Sequence, residues 1–259
     1  MARLGQNFLA DPNLLDAIIR DADLAPGDVV LEIGTGEGVL TKPLSEAAAH
    51  VHTIEIDSRL EETLAPIAAR QNVDLHWGDA MKMDLGALHP APTAVVANLP
   101  YSVATPLILR TIEQLPFVEY WTVMVQREIA ERLKARPGSR TYGGPSVLVQ
   151  IPCEARMLRT VNPAVFKPRP RVESAILRLQ RVAPAASPLV QDFVHAAFAH
   201  RRKSLARSAN HVQPGVMGAI RSILLVLQMR REVRAEDVHP MDFIQIAEGI
   251  PWKLNPPQV

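Results

Sequence analysis

The sequence predicts an α/β protein built on a mostly parallel, doubly wound sheet, with a small helical domain at its C-terminal end. Two observations carry the sheet: short apolar runs alternate with stretches at helical spacing, and the first turn between them is rich in glycine. A third carries the helical end. Past the Pro- and Ala-rich linker Ala183 to Pro188, apolar residues recur at helical spacing. The expected domains are residues 1–182 and 187–259.

Asp11-Pro12 opens the first helix, because Asp caps orphan amides and Pro suits a first turn. Leu14, Leu15, Ile18 and Ile19 give that helix its apolar face, and Pro26-Gly27 breaks it. Val29 to Ile33 is a short apolar run suited to a buried parallel strand. Val51 to Ile56, Val73 to Trp77, Ala94 to Ala97 and Val118 to Val125 predict further strands, with helices near 39–48, 58–70, 103–114 and 126–136. Ser146 to Ile151 and Ser174 to Leu179 read as two more strands, the second setting Ile176, Arg178 and Gln180 against Leu177 and Leu179. Leu189, Val190, Phe193, Val194, Ala197 and Phe198 form one helical stripe, and Val216 to Leu227 forms another.

The bulk numbers exclude several classes. The 259 residues suffice for one sizeable α/β domain and an appendage, and 47% hydrophobic with 21% charged residues is an ordinary globular balance. No apolar run reaches the roughly 20 residues a membrane helix needs. Met1 to Gln6 has no apolar core behind Arg3, so a secretory signal is not expected and the cytoplasm is the expected compartment. The single cysteine, Cys153, excludes an intramolecular disulfide or a cysteine-built metal site and reads as a small core residue. The eight histidines show no metal-ligand spacing, so no metal is expected. The net charge of +1 hides an asymmetry: residues 1–150 carry 12 Lys+Arg against 19 Asp+Glu, and residues 151–259 carry 16 against 8. A basic C-terminal part points to contact with a polyanion.

Glu32-Ile33-Gly34-Thr35-Gly36-Glu37-Gly38 follows the first predicted strand and opens a helix. Glycines let the backbone turn sharply and approach a ligand. The spacing is not the dinucleotide pattern G-x-G-x-x-G, and Glu32 and Glu37 would repel a pyrophosphate. They suit a cationic ligand such as S-adenosylmethionine, with its sulfonium and ammonium. Glu55, at the end of the second strand of the sheet, is placed to accept ribose hydroxyls, while Asp57 fits a helix cap. Asp79, in Gly78-Asp79-Ala80, is placed either to accept from an adenine amino group or to form an Asx turn. Asn98-Leu99-Pro100-Tyr101 then stands where open α/β sheets hold ligands. The Asn98 side-chain oxygen and a carbonyl in the Leu99-Pro100 turn could bind both hydrogens of an adenine amino group, favouring a pyramidal nitrogen. Pro100 stiffens the turn and lacks a competing N–H. Tyr101 offers a face for a flipped-out base or, alternatively, a packed ring.

These motifs together resemble the ribosomal RNA adenine N6,N6-dimethyltransferases of the small subunit, the KsgA type. The resemblance spans nearly the whole chain: Gly5-Gln6-Asn7-Phe8-Leu9, the Glu32 to Thr41 stretch, Glu55-Ile56-Asp57, Gly78-Asp79-Ala80, Asn98 to Tyr101, Tyr142-Gly143 with Ser146-Val147, Phe166 to Ala175, and Phe198 with Arg201 to Leu205. It implies a Rossmann-like class I methyltransferase fold over 1–182 and a helical RNA-binding domain over 187–259. It also implies S-adenosyl-L-methionine as cofactor, leaving S-adenosylhomocysteine, and dimethylation of adjacent adenosines during ribosome biogenesis. Cofactor contacts are implied for Asn7, Leu9, Gly34, Gly36, Glu55, Asp79 and Asn98, and a clamp on the target base for Tyr101 and Phe166, Phe166 having core packing as its alternative. RNA contact is expected of Lys167, Arg169, Arg171, Arg201, Arg202 and Lys203. The expected partner is ribosomal RNA within a small-subunit precursor particle, met by a monomer away from membranes. The sequence departs from the family in having only Arg3 ahead of Gly5 and in Ala206-Arg207-Ser208-Ala209, where relatives often carry Asn. Two other readings share much of this pattern: the macrolide-resistance dimethyltransferases, which act on large-subunit RNA, and non-catalytic RNA-binding assembly factors.

Overall fold

The computed structural model describes residues 8–9 and 11–254. Helix α1 (Pro12–Ala22) begins as its sequence dictates: Asp11 accepts from the amides of Asn13 (2.8 Å) and Leu14 (3.4 Å). Strands β2 (Val29–Ile33), β3 (His50–Glu55), β4 (Val73–Trp77), β5 (Ala94–Asn98) and β6 (Tyr120–Gln126) alternate with α2 (Thr41–Ala47), α3 (Glu61–Ala68) and α4 (Ala104–Gln114), and α5 (Arg127–Leu133) follows β6. Neighbouring strands in the order β4-β3-β2-β5-β6 are parallel, and β9 (Ser174–Arg181) joins β6 antiparallel with β7 (Cys153–Val161) beyond it. A separate two-stranded ladder pairs β1 (Phe8–Leu9) antiparallel with β8 (Phe166–Lys167).

Period-two alternation on buried strands supplies two cores. Val30, Val51, Val73, Val96 and Met124 pack under Leu14, Ile18, Leu44 and Leu64 of the helices on one face. On the other face Trp121 is fully buried, and its indole N–H donates to Thr111 Oγ1 of α4 at 2.9 Å. The chain runs outward from β2 through β3 and β4, then returns to place β5 on the other side of β2. That reversal is the topological switch point at which such sheets open a crevice.

The chain forms two compact units. The first comprises residues up to Ala130 with Glu154–Arg181; the second comprises Glu131–Cys153 and the residues from Val182 on. The chain crosses between the units after Ala130, Cys153 and Arg181, so residues 131–153 group with the helical unit. Within that stretch Ser146 to Ile151 is not a strand: residues up to Gln150 belong to α6 (Gly144–Gln150). A short apolar run does not reveal its period, and polar partners decide it here. Ser146 Oγ accepts from the Gly143 amide (3.1 Å) and donates to Arg132 O (2.6 Å), while the Gln150 amide donates to Leu133 O and Ala135 O. Pro145 fits the first turn, and Gly144 leaves room for Val194 and Phe198.

The helical unit continues with α7 (Pro188–Phe198), α8 (Leu205–Val212), α9 (Met217–Val226) and α10 (Pro240–Glu248). Its centre is aromatic: Phe193 meets Trp252 edge-on at 5.2 Å, and Phe198 stacks on Phe243 at 5.8 Å. Buried Ser208 ties α8 to α7, donating to Ala196 O at 2.7 Å and accepting from the His200 amide at 3.1 Å. Cys153 is buried, as expected of a core residue.

Candidate active site

The carboxyl ends of β2, β3, β4 and β5 enclose a cavity of about 300 Å³. Its wall is built from Gly34 to Glu37 after β2, Glu55 and Ile56 at β3, Gly78 to Met81 after β4, and Asn98 to Val103 after β5, with Leu9 closing one side. Four carboxylates (Glu32, Glu37, Glu55 and Asp79) line it, and no lysine, arginine or histidine does among the described residues.

Backbone geometry shapes the floor. Gly34 stands at φ +87°, and its amide donates to Ile54 O at 2.8 Å, folding the turn back onto β3. Gly38 stands at φ +76°, and a Cβ there would lie 2.7 Å from Ile67 Cγ1, so only glycine lets α3 pack this close.

The acids are held differently. Glu55 is 3% exposed; its Oε2 accepts from the Gly36 amide (2.8 Å) and its Oε1 from the amides of Ile56 (3.0 Å) and Asp57 (2.9 Å). Three fixed donors orient a group with about four acceptor sites, leaving acceptor capacity directed at the cavity. Asp57 caps the following 3₁₀ turn through the Arg59 amide. Asp79 forms the Asx turn, its Oδ1 accepting from the Met81 amide at 2.9 Å, while the residue still lines the cavity. Glu32 is not free to meet a ligand as the sequence suggests. It is 1% exposed, and its Oε2 accepts from Thr41 Oγ1 (2.6 Å) and Thr53 Oγ1 (2.7 Å). Burial pushes its carboxyl up to about 7 against the pull of these hydroxyls, with the Glu55 charge adding to the rise.

Asn98 ends β5, and the turn after it is pinned on both sides. The Leu99 amide donates to Met124 O at 3.0 Å and its side chain is buried, while Pro100 O accepts from the Val103 amide at 3.1 Å. The Tyr101 hydroxyl hydrogen-bonds the hydroxyl of fully buried Ser174 on β9, which fixes the ring at the cavity wall. Ser174 is the supporting residue that the motifs do not disclose, and only the β6–β9 pairing places it there.

Phe166 does not join the wall. It is 2% exposed, belongs to the buried core cluster and pairs through its backbone with Leu9. Asn7 lies outside the described residues. Lys167, Arg169 and Arg171 lie around β8, and Arg201, Arg202 and Lys203 are exposed after α7, where Arg201 pairs with Glu236 at 3.4 Å.

His50 and His52 on β3 and Asp74 on β4 bring one donor atom each within 4.8 Å of one another. The sequence carries the signal in His50-x-His52 beside Asp74-x-His76, because residues two apart on a strand share a face.

A parallel sheet with a glycine turn, an acid closing the next strand and Asn-Leu-Pro-Tyr at the switch point define a class I methyltransferase. The family description "Ribosomal RNA adenine dimethylase" matches residues 1–250. The "Ribosomal RNA small subunit methyltransferase A" of Rubrobacter xylanophilus is 43% identical over 251 residues, covering 96% of this chain and 94% of its own. A dimethyladenosine transferase from Plasmodium falciparum superposes with a TM-score of 0.77 at 27% identity, covering 92% of this chain and 95% of its own. The 23S rRNA methyltransferase ErmE gives 0.70 at 26%, covering 94% and 99%. The chain belongs to the ribosomal RNA adenine dimethylase family, and S-adenosylmethionine is its cofactor.

Proposed function

We propose that the chain methylates the N6 amino group of adenosines in small-subunit ribosomal RNA, at the turn formed by Asn98 to Tyr101. The observation that carries this reading is the cavity's composition: the carboxylates of Glu37, Glu55 and Asp79 without a basic side chain among the described residues, opening onto an Asn-Leu-Pro-Tyr turn. That acceptor set fits S-adenosylmethionine, whose positive charge and ribose and adenine donors all want acceptors, and it disfavours a pyrophosphate. When bound, the cofactor supplies an electrophilic methyl group.

The chain's part is positioning. Asn98 Oδ1 and a backbone carbonyl of the Leu99-Pro100 turn accept the two N6 hydrogens. Directing both hydrogens at acceptors turns the nitrogen lone pair toward the methyl group, and the acceptors stabilise the ammonium as it develops. No strong base is required: as the N6–methyl bond forms the sulfonium would give up its methyl and leave as S-adenosylhomocysteine, and the methylated N6 then releases its proton to water. Tyr101 stacks the flipped base, with Ser174 holding its ring. Leu9, Gly34, Gly36, Glu55 and Asp79 hold the cofactor. The helical unit, with Arg201, Arg202 and Lys203, and the residues Lys167, Arg169 and Arg171 contact RNA phosphates of a small-subunit precursor particle in the cytoplasm, and the protein acts as a monomer. Among the described residues no helix is long and apolar enough to cross a membrane.

The test is transfer of tritiated methyl groups to separated, unmethylated ribosomal subunits. Label is expected in small-subunit particles, with Asn98→Ala lowering turnover by about 10²–10³-fold while leaving Tm in place. Label confined to large-subunit RNA, or none, overturns the assignment.

A further inference from the structure

We propose that His50, His52 and Asp74 bind a divalent transition-metal ion of the zinc type at the β3–β4 edge of the sheet. Strands β3 and β4 are parallel with His52 beside Asp74 and Ile54 beside His76, so His50, His52, Asp74 and His76 all project from one face. His50 Nε2 lies 3.0 Å from Asp74 Oδ2, and His52 Nδ1 lies 3.7 Å from the same oxygen. The His50–Asp74 approach is a hydrogen bond in the metal-free protein, and the three atoms lie within 4.8 Å of one another. A tetrahedral ion with bonds near 2.0–2.1 Å holds its ligand atoms roughly 3.3 Å apart, a spacing that small side-chain rotations reach from here. His76 Nε2 lies 3.1 Å from His52 Nδ1 and hydrogen-bonds it, so His76 takes the fourth position only by moving its proton to Nδ1; water fills that position otherwise.

The tautomer of His52 is set for this task. Its Nε2 is 2.9 Å from Pro90 O, and a carbonyl only accepts, so Nε2 carries the proton and the Nδ1 lone pair faces the cluster. A backbone carbonyl orienting the remote nitrogen is the usual outer support of a metal-binding imidazole. Imidazoles with one carboxylate favour zinc, nickel or copper over magnesium or calcium. The site lies on the first half of β3, away from Glu55 at its cavity end, and β4 is the outermost strand. A bound ion would therefore fasten the sheet edge without entering the methyl-transfer site.

Metal-stripped, untagged full-length protein titrated with Zn²⁺ against a chromophoric chelator tests this. One equivalent is expected to bind, raising Tm by about 5–10 °C at a hundredfold excess over Kd. Cobalt(II) in its place should give the visible absorption of a tetrahedral site. His50→Ala and Asp74→Asn, which remove direct ligands, should each weaken zinc binding by more than the roughly 10–100-fold that loss of an outer-shell partner costs. At 50% side-chain exposure, Asp74→Asn should keep the parent Tm when metal-free, whereas His50→Ala gives up the ring contact with His52 and should lower it modestly; both should keep methyl transfer. Absence of a bound equivalent, or an equivalent bound unchanged by the His50→Ala/Asp74→Asn double variant, overturns the proposal.

Discussion

Glu32 sits beneath the glycine turn with two threonine hydroxyls on one oxygen and no exposed surface to speak of. Because its carboxyl is pushed up to about 7 in the folded protein, from an ordinary value of 4.5, the folded state keeps a proton that the unfolded chain releases between those values. Stability therefore falls as pH rises through this window, by about 3 kcal/mol, and levels off above pH 7. Glu32→Gln removes the titration, so the stability of the variant relative to the parent should rise from pH 5 to pH 8 in denaturant unfolding. A flat difference would contradict the buried-acid reading. A cationic ligand favours the carboxylate, so cofactor binding near pH 6.5 should release protons to the buffer. The sequence discloses which acids gather here, but not that Thr41 and Thr53 take Glu32 out of ligand reach. That depends on β2–β3 register, which no local pattern encodes.

At the scale of elements, the parallel strands are legible because burial on both faces leaves an apolar run of the right length between turn signals. Strands β2 and β4 match their expected limits, and β3, β5 and β6 shift by one or two residues. Ladder β1–β8 is not legible, since two-residue strands carry no period. The α6 segment has the composition of a strand but folds as helix, because Ser146 and Gln150 satisfy carbonyls that only the tertiary fold presents. The same dependence on packing appears at Gly38, where β2 feeds α2. Gly38→Ala combines a left-handed backbone with a clash against Ile67 and should cost about 2 kcal/mol or more, read as a lowered denaturant midpoint. Stability within about 0.5 kcal/mol of the parent would show that α3 can yield.

Across the molecule, charge separates by unit: the sheet unit carries 15 Lys+Arg against 20 Asp+Glu, and the helical unit 13 against 7. The acidic unit holds the cavity for a cationic cofactor, and the basic one suits a polyanion. Binding to small-subunit particles should weaken steeply with salt. Replacing Arg202 and Lys203 by Ala should lower the slope of log K against log salt by about 1 for each phosphate no longer neutralised. An unchanged slope would move RNA contact elsewhere. The site itself is largely legible, because Asn98 to Tyr101 and the glycine turn are contiguous in sequence, whereas Ser174 and the packing of Phe166 come from distant pairing. The most direct measurement of the central claim is nucleoside mass spectrometry of small-subunit RNA after reaction with methyl-labelled S-adenosylmethionine. N6,N6-dimethyladenosine carrying the label, formed about 10²–10³-fold more slowly with Asn98→Ala, is the expected result; label on any other nucleoside, or an equal rate from that variant, would contradict it.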